Sequence, residues 1–284
     1  MTRYLITGAS GMLGADLQRA LAGRDVTALG RADLDVTDLD AVRAAVAGHD
    51  AVINAAAYTK VDDAETHEEQ AYAVNATGPQ NLAIAAAENG AKLVTISTDY
   101  VFDGAATSPY EENAPRDPIN AYGRTKAAGE ELALAAHPEG TYIVRTAWLY
   151  GAGGPNFAKT MVRLAGSHDT VGVVADQLGQ PTWSGDLAVR IVALLDADAP
   201  AGIYHGTNSG EATWYEFAKA VFSEAGLNPD RVTPTDSAQF VRPAARPSYS
   251  VLGHTAWQAV GLPPMREWKE ALADASRHGV LEAE

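Results

Sequence analysis

Tyr122 and Lys126 stand four residues apart in the run Tyr122-Gly123-Arg124-Thr125-Lys126. Residues at i and i+4 share one face of a helix. The run that follows, Ala127-Ala128-Gly129-Glu130-Glu131-Leu132-Ala133-Leu134-Ala135-Ala136, reads as helix. A phenol and an ammonium are therefore predicted to project side by side. A free tyrosine, with a pKa of about 10, is a poor acid–base catalyst at neutral pH. A neighbouring cation favours the phenolate and lowers that pKa. The pair suits proton transfer in a carbonyl–alcohol interconversion. Because the same spacing also arises by chance on exposed helices, its weight depends on the rest of the chain.

A second group of residues could bind a dinucleotide. Gly8, Gly11 and Gly14 form the run Gly8-Ala9-Ser10-Gly11-Met12-Leu13-Gly14. It lies between the apolar run Tyr4-Leu5-Ile6-Thr7 and a segment in which Leu13, Leu17, Ala20 and Leu21 recur at helical spacing. Strand, glycine turn and helix are the context in which a glycine triplet carries meaning. Gly8 permits the tight turn, Gly11 lets backbone approach a pyrophosphate, and Gly14 lets helix and sheet pack closely. The helix N-terminus then offers N–H groups to the diphosphate. At the end of the second strand an acidic residue would hydrogen-bond a ribose 2′-hydroxyl. The chain has Leu29-Gly30-Arg31 there. A guanidinium suits a 2′-phosphate, so NADPH is the predicted cofactor. NADH is the alternative, because Asp33 and Asp35 follow closely and could serve a ribose or the adenine.

The elements that must position these groups alternate along the first half of the chain. Val26–Leu29, Ala51–Asn54, Lys92–Ser97 and Tyr142–Arg145 read as further strands. Leu39–Val46 reads as a helix with Thr37 or Asp38 as N-cap, and 64–89 as one or two helices. Alternation of this kind predicts an α/β fold with a doubly wound, Rossmann-type parallel sheet. Residues 1–150 are read as the dinucleotide-binding domain. Residues 151–284, where prolines and glycines cluster at 151–155, 180–181 and 242–247, are read as mainly a smaller C-terminal α/β lobe for substrate. Some later segments are expected to return to the main sheet, and residues 277–284 are expected to fray.

Composition narrows the function. The chain has 284 residues, 46% of them hydrophobic, enough for a large core. No stretch approaches the roughly 20 apolar residues of a membrane span. Strand-like sequence begins at Arg3, which leaves no room for a signal peptide. Cysteine is absent. This excludes disulfides, thiolate nucleophiles and cysteine-ligated metals, and a cytoplasmic location is expected. A net charge of −15 argues against nucleic acid or an anionic membrane as partner. It leaves room for a small anion, since charges are screened over about 8 Å at physiological salt. The seven histidines are scattered without a His-x-x-x-His pair, so no metal site is expected.

The motifs occur together and in order: the glycine triplet, Asn54-Ala55-Ala56-Ala57, Ser97-Thr98-Asp99-Tyr100-Val101-Phe102, and Tyr122-x-x-x-Lys126. The chain thereby resembles the extended short-chain dehydrogenases/reductases. More narrowly, it is similar to the dTDP-4-dehydrorhamnose reductases. This rests on 54–65, on 97–104, on Arg145-Thr146-Ala147-Trp148-Leu149-Tyr150-Gly151, on Asp176-Gln177-Leu178-Gly179-Gln180-Pro181-Thr182 and on the region of Arg242-Pro243. The resemblance covers nearly the whole chain and is looser over the last 100 residues or so.

The resemblance implies reduction of dTDP-4-dehydro-β-L-rhamnose at C4 to dTDP-L-rhamnose. Tyr122 would be the general acid. Lys126 would lower its pKa and bind the nicotinamide ribose. Thr98 would hydrogen-bond the reacting oxygen, with Asp99 and Trp148 lining the sugar pocket. Gly11, Met12 and Leu13 would lie over the pyrophosphate, Ala57, Tyr58 and Thr59 would border the cofactor, and Asp35 and Val36 would flank the adenine. Arg242 and Arg246 flank prolines in a segment that cannot be regular helix; one of them is expected at the nucleotide diphosphate. Asn156, Arg163 and Gln177 are weaker candidates. Some members hold magnesium between subunits through glutamates. Here the shorter Asp16 stands at the first such position, and a later segment reads Trp183-Ser184-Gly185-Asp186. No metal is expected, and the chain is expected to be a monomer or weak homodimer. Two other functions remain open: reduction of another dTDP-4-keto-6-deoxysugar for antibiotic glycosylation, and a non-catalytic regulatory subunit of the same fold.

Overall fold

The computed structural model describes residues 1–282. The first half runs β1 (Arg3–Thr7), α1 (Met12–Ala20), β2 (Asp25–Leu29), α2 (Leu39–Val46), β3 (Ala51–Asn54), α3 (Val61–Ala64), α4 (Glu68–Tyr72), a π-helical turn (Ala73–Thr77), α5 (Gly78–Asn89), β4 (Lys92–Thr98), a 3₁₀ turn (Asp99–Val101), α6 (Ala121–Ala136) and β5 (Thr141–Thr146). Asp38 caps α2, accepting from the amides of Asp40 and Ala41. The stretch 64–89, read as one or two helices, holds α4 and α5 joined without a break by the π turn, with α3 ending at its first residue.

The second half runs β6 (Leu149–Tyr150), α7 (Phe157–Ala165), β7 (Val171–Val174), β8 (Leu178–Gly179), β9 (Thr182–Trp183), α8 (Ser184–Asp196), β10 (Gly202–His205), β11 (Asn208–Ser209), β12 (Ala212–Thr213), α9 (Trp214–Glu224), β13 (Val232–Thr235), α10 (Thr255–Ala259), β14 (Met265–Glu267) and α11 (Trp268–Arg277).

Six strands form one sheet in the order β10-β5-β4-β3-β1-β2, every neighbour parallel. β3 and β5 are buried along their whole length, as expected of strands covered on both faces. The chain steps from β1 to β2 on one side and to β3 on the other. A crevice therefore opens beyond the carboxyl ends of β1 and β3, the switch point where ligands bind in such sheets. β10 and α8 come from the second half. β10 pairs with β5, and Leu187, Ile191 and Leu195 of α8 join Leu13 and Leu17 of α1 in the core.

A separate core gathers Tyr150, Phe217, Phe222, Trp268 and Leu272 under the short strands of the second half. Val280 and Leu281 are buried in it. The fraying expected from 277 onward is thus corrected as far as residue 282. An apolar pair after the last helix turn docks rather than loosens, and residues 283 and 284 lie outside the described residues.

Candidate active site

The glycine turn is built as its residue types require. Gly8 has φ +69°, a left-handed conformation that favours glycine. A Cβ there would lie 2.5 Å from the Ala56 amide nitrogen, so the exits of β1 and β3 touch. A Cβ on Gly14 would lie 2.3 Å from the Gly8 carbonyl oxygen; the helix can approach the turn only without one. At Gly11 the nearest atom would be the Gly8 carbonyl oxygen at 3.2 Å, and the other directions are open. Gly11 is the N-cap of α1, no side chain caps the helix, and its first turn carries no acid. Its leading N–H groups are free to meet an anion. These features fit a pyrophosphate over Gly11, Met12 and Leu13.

At the exit of β2, Arg31 is exposed. Ser10, which the sequence did not single out, lies beside Gly30: a Cβ on Gly30 would meet the Ser10 hydroxyl oxygen at 3.3 Å. The two acids behind Arg31 are engaged locally. Asp33 accepts from the Gly30 amide at 2.9 Å. Asp35 accepts from the amide and hydroxyl of Thr37, bonds that hold its carboxyl below the usual range. Val36 is buried and its Cγ2 faces Gly78.

A polar seam crosses the strands towards the reacting end. Thr7 donates to Asn54 Oδ1 at 2.7 Å, and Asn54 Nδ2 donates to Thr95 at 3.0 Å. Asn54 Oδ1 also accepts from the Ala56 amide, fixing the start of 55–59. Asn75 in the π turn completes the frame. It exchanges two hydrogen bonds with the Tyr58 backbone and donates to Thr125 Oγ1 at 3.1 Å. It therefore ties the loop bearing Ala57, Tyr58 and Thr59 to the helix bearing Tyr122 and Lys126. A π turn at such a place accords with the frequent occurrence of these turns at functional sites.

Helix α6 sits close to its neighbours because two glycines allow it. A Cβ on Gly123 would lie 2.1 Å from the Tyr100 carbonyl oxygen, and one on Gly129 2.0 Å from that of Asn75. Asn120 caps the helix by accepting from the Gly123 amide at 2.7 Å. Tyr122 then faces Thr98, which ends β4, and the Tyr100 ring packs edge-on to it with centroids 5.7 Å apart. Thr98 donates to Asp99 Oδ1 at 2.9 Å and accepts from the Tyr100 amide.

The electrostatics correct one expectation. Lys126 does not lower the pKa of Tyr122 in this structure. Its Nζ donates to the Ile96 carbonyl oxygen at 2.6 Å. Burial pushes the Tyr122 phenol well above its ordinary value; the Asp99 charge adds to this, and the Thr98 hydroxyl opposes it. Burial also brings Lys126 down to about 8, against the attraction of Glu130. Asp99 is pushed up to about 6 by its own burial, with Ser250 and Thr98 opposing. Its Oδ2 has no hydrogen-bond partner among the described residues. The sequence revealed the neighbouring ammonium but not the desolvation, which here is the larger effect.

Glu130, one turn beyond Lys126, anchors the base of the site. It accepts from Ser97 and from Arg145 Nε and Nη2 at 2.9 and 2.7 Å, and pairs with Arg116 at 3.3 Å.

Next to these groups a cavity of about 570 Å³ opens. It is lined by Tyr100, Phe157, Gln177, Trp214, Arg242 and Arg246 among others. Trp148 is half-buried, and its ring stacks on that of Trp214, which lines the cavity, at 3.6 Å and 9°. Trp148 has φ +45°, a strained value for a bulky residue. Gly179 gives its ring room; a Cβ there would come within 2.6 Å of it. Asn156 caps α7, Arg163 is exposed, and Gln177 donates to Ser237 at 2.8 Å. Asp16 accepts from Ser184 and Arg19, and Asp186 from Arg266 and Asn208.

The fold and site define a nucleotide-binding oxidoreductase of the short-chain dehydrogenase/reductase type. A family model, the RmlD substrate binding domain, matches residues 2–280. The chain belongs to that family. It is 53% identical to the dTDP-4-dehydrorhamnose reductase of Streptomyces griseus, over 96% of this chain and 92% of that one. It is 52% identical to a probable dTDP-4,6-dihydroxy-2-methyloxan-3-one 4-ketoreductase of Streptomyces antibioticus, over 96% and 94%. The crystal structure of the dTDP-4-dehydrorhamnose reductase of Bacillus anthracis in complex with NADP superimposes with a TM-score of 0.94 at 42% identity, covering 98% of this chain and all of that one. Among the described residues no helix is long and apolar enough to cross a membrane.

Proposed function

We propose that the protein reduces the C4 ketone of dTDP-4-dehydro-β-L-rhamnose to give dTDP-L-rhamnose, with NADPH as reductant. The observation that carries this reading is the approach of the Thr98 hydroxyl to the Tyr122 phenol at the carboxyl end of β4, in the same sheet whose β1 leads into the glycine turn. Family membership supplies the substrate class.

Gly11, Met12 and Leu13 would hold the pyrophosphate, Arg31 and Ser10 the 2′-phosphate, and Ala57, Tyr58 and Thr59 the edge of the dinucleotide. NADPH supplies a hydride when bound. Thr98 and Tyr122 hold the ketone oxygen, and Tyr122 gives that oxygen its proton as negative charge develops. A phenol raised by burial keeps its proton at neutral pH, which suits an acid in the reducing direction. Lys126, held on the Ile96 carbonyl oxygen, would offer its ammonium to the nicotinamide ribose. In the free protein the Thr98 hydroxyl gives its one proton to Asp99; it turns that proton to the ketone oxygen when the sugar binds. The cavity walled by Trp214, itself backed by Trp148, would take the nucleotide, with Arg242 and Arg246 at the diphosphate.

A second reading is favoured by one observation. The relative named for a different 4-ketoreductase stands at 52% identity, almost level with the reductase at 53%. Overall similarity therefore leaves another dTDP-4-keto-6-deoxysugar open as substrate. A panel of such ketosugars, each offered with NADPH, tests both readings. The first requires kcat/KM to be greatest for dTDP-4-dehydro-β-L-rhamnose; a higher value for another member would transfer the assignment to it.

A further inference from the structure

The arginines that face the cavity lie on a strap with little regular structure of its own, 236–249. Its ends are fastened. Ser237 gives its amide and hydroxyl to Asp176. At the other end Ser248 and Tyr249 donate to the Gly104 carbonyl oxygen. The middle carries Arg242 and Arg246 and lines the cavity from Phe240 to Arg246. Phe240 and Val241 are 51% and 82% exposed; Ala244 and Pro247 are the buried residues between Phe240 and Pro247.

One carboxylate does much of the fastening there. Asp62, at the start of α3, accepts from Arg246 Nη1 at 2.5 Å and from the Ala244 amide at 3.2 Å, and it lies 3.6 Å from Arg242 Nη1. Asn120 adds a bond to the Ala245 carbonyl oxygen at 2.8 Å. The Arg246 side chain is only 18% exposed and also reaches the Tyr100 phenol, whose ring packs on Tyr122. The charges leave a remainder: two guanidiniums share one carboxylate at the mouth of the cavity.

We infer that Asp62 is a positioning residue for substrate. It pins the strap so that Arg242 and Arg246 present one uncompensated positive charge to an anionic group, and it touches no reacting atom. This rests on the reading of the cavity as a nucleotide-diphosphate site. Pinning before binding removes the cost of ordering two long side chains and their loop when the ligand arrives. Asp62 also links that charge to the loop bearing Tyr58, since both lie on the same short stretch after β3.

The test uses the full chain and two variants. Asp62→Asn keeps an acceptor for the Ala244 amide but removes the charge; Asp62→Glu keeps the charge. Without ligand, chymotrypsin is expected to cut after the exposed Phe240 faster in Asp62→Asn than in wild type. The KM for the nucleotide sugar and the Kd for dTDP are expected to rise by about tenfold, the factor set by immobilising such side chains. The kcat at saturation and the KM for NADPH are expected to hold, with Asp62→Glu recovering part of the loss. Wild-type protection and wild-type KM in Asp62→Asn would overturn the inference, as would tighter dTDP binding, which would make Asp62 a competitor of the ligand. A parallel loss in kcat, NADPH affinity and thermal stability would reduce Asp62 to a general structural residue and overturn it too. If wild type takes up no dTDP while the chymotrypsin result holds, the reading of the cavity fails and the pinned strap stands without its assigned ligand.

Discussion

Lys126 donates its ammonium proton to the Ile96 carbonyl oxygen at 2.6 Å, one helical turn from the phenol of Tyr122. The ammonium is thus held by strand backbone and kept charged by Glu130, in a place where burial brings its pKa down to about 8. In the free enzyme, kcat/KM is expected to be level below that value and to fall as pH rises through about 8, because Lys126 no longer offers an ammonium to the nicotinamide ribose. The same shift has a sign for stability. The unfolded chain holds this proton up to its ordinary 10.5, the folded chain only to about 8. Between those values the unfolded state binds more protons, so folding gains stability with rising pH. Thermal melts of wild type against Lys126→Met check this: wild type should gain relative to the variant across that window and show no drift below it.

Arg31 is the exposed cation at the exit of β2, with Asp33 and Asp35 engaged by Gly30 and Thr37. A charged hydrogen bond is worth about 1.5–3 kcal/mol. Arg31→Ala is therefore expected to reduce the preference for NADPH over NADH by roughly 10- to 150-fold, seen as the ratio of the two kcat/KM values. An unchanged ratio would move cofactor choice to other residues.

Two glycines of the turn are expected to respond differently. Gly14→Ala drives a methyl into the Gly8 carbonyl and the Ala9 backbone and should destabilise the fold by about 1–3 kcal/mol. At Gly11 a methyl would press on the Gly8 carbonyl oxygen alone, at 3.2 Å, and would occupy the space assigned to pyrophosphate. Gly11→Ala should lose less stability than Gly14→Ala, since its one contact is at 3.2 Å against 2.3 Å, while the KM for NADPH rises. Melting curves and cofactor titrations on both variants separate the two roles.

Glu130→Gln leaves the buried Arg145 guanidinium without its carboxylate. Breaking one side of a buried pair costs about 3–5 kcal/mol, and denaturant titration should show a loss of that order. The variant is also expected to shift the alkaline limb of the rate profile downward, since Lys126 loses the charge that opposes its burial.

Much of the frame was legible because it depends on local periodicity. The glycine turn, the alternating strands and the Tyr122–Lys126 spacing are written within a few residues of each other. What escaped depends on contacts far apart in sequence. Asp62 lies 184 residues from Arg246, and Asn75 lies 50 from Thr125; Asp62 falls within the 54–65 stretch, which says nothing of its partner, and Asn75 has no motif. Trp214 follows an ordinary capping box at Thr213 and Glu216, and only the fold lays its ring on Trp148. The phenol of Tyr122 rose rather than fell because burial, invisible in a linear pattern, outweighs a cation directed elsewhere. The chain end was misread for a simpler reason: Val280 and Leu281 are apolar and find a core to enter.

The central claim is that Tyr122 gives the proton that completes the reduction. Tyr122→Phe removes one hydroxyl and leaves the ring that packs on Tyr100. The decisive measurement is the ketosugar-dependent loss of NADPH absorbance at saturating concentrations of both ligands, with binding of each confirmed by titration. The wild-type chain should oxidise NADPH only when dTDP-4-dehydro-β-L-rhamnose is present. Tyr122→Phe should bind both and turn over about 10²–10⁴-fold more slowly. Equal rates in the two proteins would contradict the account.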